Sequence, residues 1–157
     1  MATYQQFPRT KTPDTGSQYF GWAEPGLGDV GAYRVSGQPW MTGSADLGGG
    51  QEHVHRFPAV TREITVVNHG AKDLRVHFVS TSSDGQVISK RHFITVSGST
   101  LADTDSMFKF ECKANAIFLT NPGANAAAGK TSYEIFAQLT PIPAAQMYHL
   151  TGSGLTD

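Results

Sequence analysis

The chain has a single cysteine, Cys112, so it has no intramolecular disulfide and no zinc site built on cysteines. It has no apolar run near the ~18 residues of a membrane span, and membrane insertion is not expected. Its opening stretch, MATYQQFPRTKTPDTG, lacks the apolar centre of a signal peptide, which leads us to expect synthesis in a cytoplasm. Charge is scarce as well. Asp, Glu, Lys and Arg together make up 16% of the residues, below the ~25% of ordinary domains. Twelve basic residues against thirteen acidic ones leave a net charge of -1. Phosphate binding needs a basic excess, so nucleic acid is not an expected partner. Little net charge also means little repulsion between copies, which suits a protein that associates.

Glycine and proline are plentiful, at seventeen and eight residues, and imply many turns and few long helices. At 157 residues the chain fits one domain with a substantial core. Residues 60–79 give the clearest local pattern. Residues 64–67 and 74–79 are rich in β-branched and aromatic side chains, and Asn68, His69, Gly70 and Asp73 supply turn chemistry between them. The pattern predicts a hairpin, with Leu74, Val76 and Phe78 on one face and Arg75 and His77 on the other. His69 and His77 are then expected on its turn and outer face.

Taken in order, residues 1–30 carry Pro8, Pro13 and Pro25 among aromatics without strand or helix periodicity, and read as an extended N-terminal arm. A first strand is expected over residues 32–42, then a glycine-rich loop over 43–50 and a short strand over 53–57. After the hairpin, residues 86–96 form a long strand containing Lys90, Arg91 and His92. Phe108, Phe110 and Cys112 alternate with Lys109, Glu111 and Lys113 in a half-buried strand, where Cys112 acts as a small core hydrophobe. That strand is expected to pair with residues 116–120 across the break at Ala114 and Asn115. Tyr133, Ile135, Ala137 and Leu139 mark the last strand, ended by Pro141 and Pro143. The only helical turn expected lies at 124–128. About eight short strands without a convincing helix indicate a single antiparallel β-sandwich. A jelly roll over residues 31–143 is the leading arrangement, an immunoglobulin-like sandwich the alternative, with residues 144–157 as a short tail.

Three sequence motifs bear on chemistry. His53 and His55 fall on one face of a strand and are the candidate metal ligands. Cupins use such an HxH, but the glutamate they place after it is replaced here by Ala59 and Val60, and the glycine before it by Leu47. Two histidines on a solvent or subunit face are the simpler reading, so no metal or cofactor is assigned. Residues 123–131 approach a phosphate-binding loop, but Ala124 stands where its first glycine belongs, and Lys130-Thr131 leads into a strand instead of opening a helix. Lys90, Arg91 and His92 are a basic run too short to bind phosphate by themselves. No serine or histidine sits in a recognisable hydrolytic setting. No catalytic residue is assigned, and the protein is not expected to be an enzyme.

The stretches GAYRVSGQPWMTGS and MYHLTGSGLTD, with the strand pattern, resemble small single-jelly-roll capsid proteins of large icosahedral DNA viruses and phages. The resemblance is to penton (vertex) or cement components. It implies a virion structural protein that forms a homo-oligomer, a pentamer if a penton, and that contacts a major capsid protein. Tyr4, Phe7, Tyr19, Phe20, Trp22, Trp40, Met147 and Tyr148 would make the subunit contacts. Two other classes remain open at this point. A receptor- or carbohydrate-binding module of a fibre or tail would use Trp22 or Trp40, and a cupin-like enzyme would bring His53 and His55 to a third ligand.

Overall fold

The computed structural model describes residues 26–34, 37–81, 92–99, 105–123 and 129–148. Eight strands carry the fold: β1 (Gln38–Gly48), β2 (Glu52–Arg56), β3 (Ala59–Asn68), β4 (Leu74–His77), β5 (Ile94–Val96), β6 (Ser106–Phe110), β7 (Ala116–Thr120) and β8 (Lys130–Pro143). β1 pairs with β8, β2 with β7, β3 with β6 and β4 with β5, all antiparallel. β8 also pairs with β3, and β7 with β4, which rolls this nested ladder into two four-stranded sheets ordered β1-β8-β3-β6 and β2-β7-β4-β5. That order is a jelly roll, the leading expectation from the strand pattern.

Between the sheets lies one apolar core. Ile64 and Val66 of β3 meet Leu74 and Val76 of β4, Ile117 and Leu119 of β7, and Tyr133, Ile135 and Ala137 of β8. A smaller cluster of Val60, Ile142 and Met147 is covered by Leu27 and Tyr33, so the segments before β1 and after β8 meet at one end. Lys113 fastens that end. Its ammonium donates to the Leu27 carbonyl and sits 4.4 Å from the centre of the Tyr33 ring.

The predicted hairpin over residues 60–79 does not form, because β3 and β4 belong to opposite sheets. The pairing of residues 108–113 with 116–120 fails in the same way, since β6 and β7 also lie in opposite sheets. Period-two alternation specifies which face a strand buries, and a hairpin and an arch bury the same face. What separates them is where the turn's polar groups go. At the β3–β4 arch the Asn68 amide donates to the carbonyls of Lys72, Val96 and Ser97, and its oxygen accepts from the Gly70 amide and the Thr131 hydroxyl. One side chain thus bridges β5 in one sheet and β8 in the other. Gly70 makes the turn possible, because a Cβ there would stand 2.9 Å from the Ser132 nitrogen. At the β6–β7 crossing Thr61 does similar work, with its hydroxyl donating to the Cys112 carbonyl and accepting from the Ala114 amide.

Other boundaries move for equally local reasons. The expected strand over 32–42 begins as a short helix, α1 (Val30–Arg34), a helical turn outside the 124–128 stretch where one was expected. The glycine-rich loop over 43–50 is strand as far as Gly48, with a bulge between Ser44 and Leu47 that turns Leu47 fully inward. β8 runs through both prolines. β1 begins opposite Leu139, so beyond that point no described strand pairs with β8 on that side and a missing N–H costs little there. On the other side the Thr140 hydroxyl donates to the Val60 carbonyl at 2.7 Å, replacing ladder bonds lost at the register shifts. Of the expected strand over 86–96, Ile94–Val96 is strand, His92 and Phe93 are not, and residues 86–91 lie outside the described residues, as do 1–25, 124–128 and 149–157.

The Asn68→Ala variant should lose about 3 kcal/mol in urea unfolding, because it strands several buried donors and acceptors at once. A loss under about 0.5 kcal/mol would show that water replaces these bonds without cost.

Candidate functional site

The histidines singled out in the sequence lie on edge strand β2, with His53 opposite Leu119 and His55 opposite Ile117 of β7. Both are half-buried. Both point into the sandwich, where they meet the hydroxyl of Tyr133 from the other sheet. That oxygen is 2.8 Å from His53 Nδ1 and 2.7 Å from His55 Nε2. Trp40 closes the cluster from β1, edge-on to Phe57 at 4.9 Å and to His55 at 6.3 Å.

Burial sets the proton state. Tyr133 is 1% exposed, and burial pushes its pKa up to about 12, so it is a neutral phenol with one proton to donate. His55 is held below the ordinary histidine value by burial and then by neighbouring His53, so it is neutral at pH 7. A metal ion held by the inward nitrogens of His53 and His55 would have to displace the Tyr133 hydroxyl or take it as a ligand. The three side chains satisfy one another as hydrogen-bonding groups instead. Among the described residues no three His, Cys, Asp or Glu side chains converge to hold a metal.

Sequence reasoning missed Tyr133 as a member of this cluster, although a signal was present. In the inward row Tyr133, Ile135, Ala137, Leu139 it is the one side chain with a polar tip, and a buried tyrosine hydroxyl needs a partner.

His77 was expected on an outer face, and it is on the outer face of β4 yet only 1% exposed. It stacks on Phe118 at 5.9 Å. Its Nδ1–H donates to the Val79 carbonyl, which leaves Nε2 to accept from the Thr120 hydroxyl, each at 2.7 Å. Burial lowers its pKa, and the Val79 carbonyl and Glu52 only partly offset this. Glu52 caps the same region, accepting from the Ser80 hydroxyl and the Thr81 amide. His69 stays on the turn, exposed, with Asp105 at 2.8 Å on Nδ1 and Glu134 at 3.4 Å on Nε2. The carboxylates lie on opposite ring nitrogens, so they cannot share an ion with it.

The remaining candidates fall into three groups. Met147 is buried in the smaller cluster, and Trp40 is half-buried against Phe57. Tyr148 is half-exposed. Tyr4, Phe7, Tyr19, Phe20 and Trp22, with Lys90 and Arg91, lie outside the described residues. Cys112 packs against the main core, where burial pushes its thiol up to about 11, far from a reactive thiolate. It lines a groove of about 400 Å³ with Tyr33, Arg62, Glu63, Glu111 and Lys113.

No family model matches the chain, and no curated protein matches it either. Function has to be argued from the fold and its surfaces.

One surface stands out. On the outer face of β1-β8-β3-β6, Met41 lies opposite Phe136, and Val67 opposite both Glu134 and Met107. Met41 and Met107 are 69% and 67% exposed. Around them Lys109 pairs with Glu63 and Glu111, Lys130 with Asp46, and His69 with Asp105 and Glu134.

Acid should destabilise the fold. His55 and His77 have depressed folded-state values, so the unfolded chain takes up protons first as pH falls below about 6.5. Their contribution is complete above that pH and declines below it. His69 runs the other way, because hydrogen bonding to Asp105 raises its value, but its exposure keeps that effect small. Unfolding free energy should therefore drop between pH 7 and 5, with a shallower drop in His77→Gln. At pH 7.5, Thr120→Val should cost about 1–2 kcal/mol by stranding His77 Nε2.

Proposed function

We propose that this protein is a virion structural component, a penton or cement subunit that assembles through its sheet faces and chain ends with copies of itself and with a major capsid protein. The observation that carries this reading is the nested β1-β8-β3-β6 and β2-β7-β4-β5 order, an arrangement that capsid, lectin and cupin domains share. Fold alone does not choose among them. A cupin-like enzyme draws no support from the histidines, which are bonded to Tyr133. A sugar-binding groove built on Trp40 draws none from a ring turned edge-on into Phe57. The assembly reading is supported by the apolar outer face of Met41, Phe136, Val67 and Met107. Exposed apolar surface grouped on one sheet face marks an interaction site more often than an accident of composition. Near-zero net charge lets such faces approach.

Light scattering and native mass measurement on the full chain test the proposal. The expected species is a closed ring, of five copies if the protein is a penton. Met41→Lys combined with Met107→Lys should weaken association at least about tenfold, since each change buries a charge in an apolar contact, while leaving the unfolding midpoint unchanged. A chain that stays monomeric at the concentrations of capsid assembly, alone and with a major capsid protein, would overturn it.

A further inference from the structure

We infer that the Tyr133 hydroxyl couples His53 and His55 into one proton-sharing latch that holds edge strand β2 against the opposite sheet, and that acid releases it. The inference stands on the geometry of the cluster and does not depend on the assembly reading.

Proton count fixes how the three groups can bond. A tyrosine hydroxyl donates one hydrogen and accepts another, and a neutral imidazole carries its hydrogen on one nitrogen only. The hydroxyl oxygen contacts His53 through Nδ1 and His55 through Nε2. If the hydroxyl donates to His53 Nδ1, then His53 carries its hydrogen on Nε2, and His55 must donate through Nε2. If it donates to His55 Nε2, then His55 carries its hydrogen on Nδ1, and His53 must donate through Nδ1. Only these two arrangements satisfy every group. The histidines therefore share a tautomer, both Nε2–H or both Nδ1–H, although they are on different turns of the pleat and are linked only through the tyrosine.

The hydroxyl hydrogen needs one uncharged imidazole as its acceptor. With one histidine charged, that ring donates and the other still accepts; with both charged, both imidazoles donate to the oxygen, and the hydroxyl hydrogen loses its acceptor in a site where Tyr133 is 1% exposed. No counter-charge is at hand among the described residues. Glu52 and Arg56 lie on the other face of β2, β7 presents Ile117 and Leu119, and β1 presents Trp40 and Thr42. Glu134 faces outward on β8, and Lys130 is paired with Asp46 at its exposed end. The strand that must give way is lightly held. β2 is five residues long, and among the described residues it pairs with β7 alone, with Glu52 tying its start to Ser80 and Thr81 just after β4 of the same sheet. Its other restraint across the core is this hydroxyl, with Phe57 following it into the cluster under Trp40.

Nitrogen-15 NMR of the histidines in the full chain at pH 7.5 tests the coupling directly. Both rings should report the same tautomer, and one of each would overturn the proposal. Amide hydrogen exchange then tests the release. After correction for intrinsic rates, opening of β2 should rise as pH falls from 7 to 5, by up to about tenfold per pH unit for each proton taken up. His53→Gln with His55→Gln keeps donors and acceptors without titrating and should flatten that rise, whereas His77→Gln should leave it. Persistence of the rise in the double variant, or its loss in His77→Gln, would place the sensor elsewhere. The tautomer measurement needs no variant, so it decides even where the double substitution prevents folding.

Discussion

A chain whose strands alternate between two sheets must carry its backbone across the edge of the core at each crossing, and the polar groups there cannot be left unpaired. That constraint shapes this molecule more than any single apolar contact. Asn68 answers it at the β3–β4 arch by gathering carbonyls from Lys72, Val96 and Ser97 and donors from Gly70 and Thr131. Asn121 answers it after β7, donating to the carbonyls of Leu47 and Gly129 while its own carbonyl accepts from Gly50. Thr61 and Thr140 do the same with hydroxyls. These residues are all buried, and each sits where the chain turns away from a ladder. Apolar burial pulls the two sheets together, but it is non-directional. The buried amides and hydroxyls fix which strand lies opposite which.

The same logic explains which parts of the fold were legible in the sequence. Alternation identified the inward rows, and Tyr133, Ile135, Ala137 and Leu139 are buried as their spacing required. It could not say which sheet a strand joins, because β3 and β4 would bury Ile64, Val66, Leu74 and Val76 whether paired side by side or facing across the core. The information lay in Asn68, whose composition marks a turn in either case and whose partners at Val96 and Thr131 are distant in sequence. Glycine-rich and proline-containing stretches misled for a related reason. Gly43–Gly48 stays in β1 because a neighbouring strand supplies its partners, and Pro141 stays in β8 because no described strand pairs with it on that side.

At the candidate site the sequence supplied half the answer. It put His53 and His55 on one face, and the structure agrees, but it assigned that face to solvent or to a partner. Long-range pairing of β8 with β1 and β3 delivers Tyr133 to the same place, and no local pattern predicts that. Once a hydroxyl is there, the chemistry of the pair changes. Two exposed imidazoles would be available ligands, whereas two imidazoles around one phenol are mutually satisfied. His77 shows the same conversion on the other side of the sheet, through the Val79 carbonyl and the Thr120 hydroxyl.

For the proposed assembly, the charge arrangement on the outer face of β1-β8-β3-β6 matters as much as its methionines. Burying an unpaired charge in a contact costs several kcal/mol. On this face Lys109 already lies 2.7 Å from Glu63, Lys130 2.7 Å from Asp46, and His69 2.8 Å from Asp105. A partner covering Met41 and Met107 would therefore meet ion pairs rather than isolated charges, and would lose less to desolvation than the acidic residues suggest. Exposed pairs of this kind add little to the stability of the isolated chain. In the proposed assembly their consequence would be felt on contact, where neutralised surroundings would let exposed apolar side chains set the affinity.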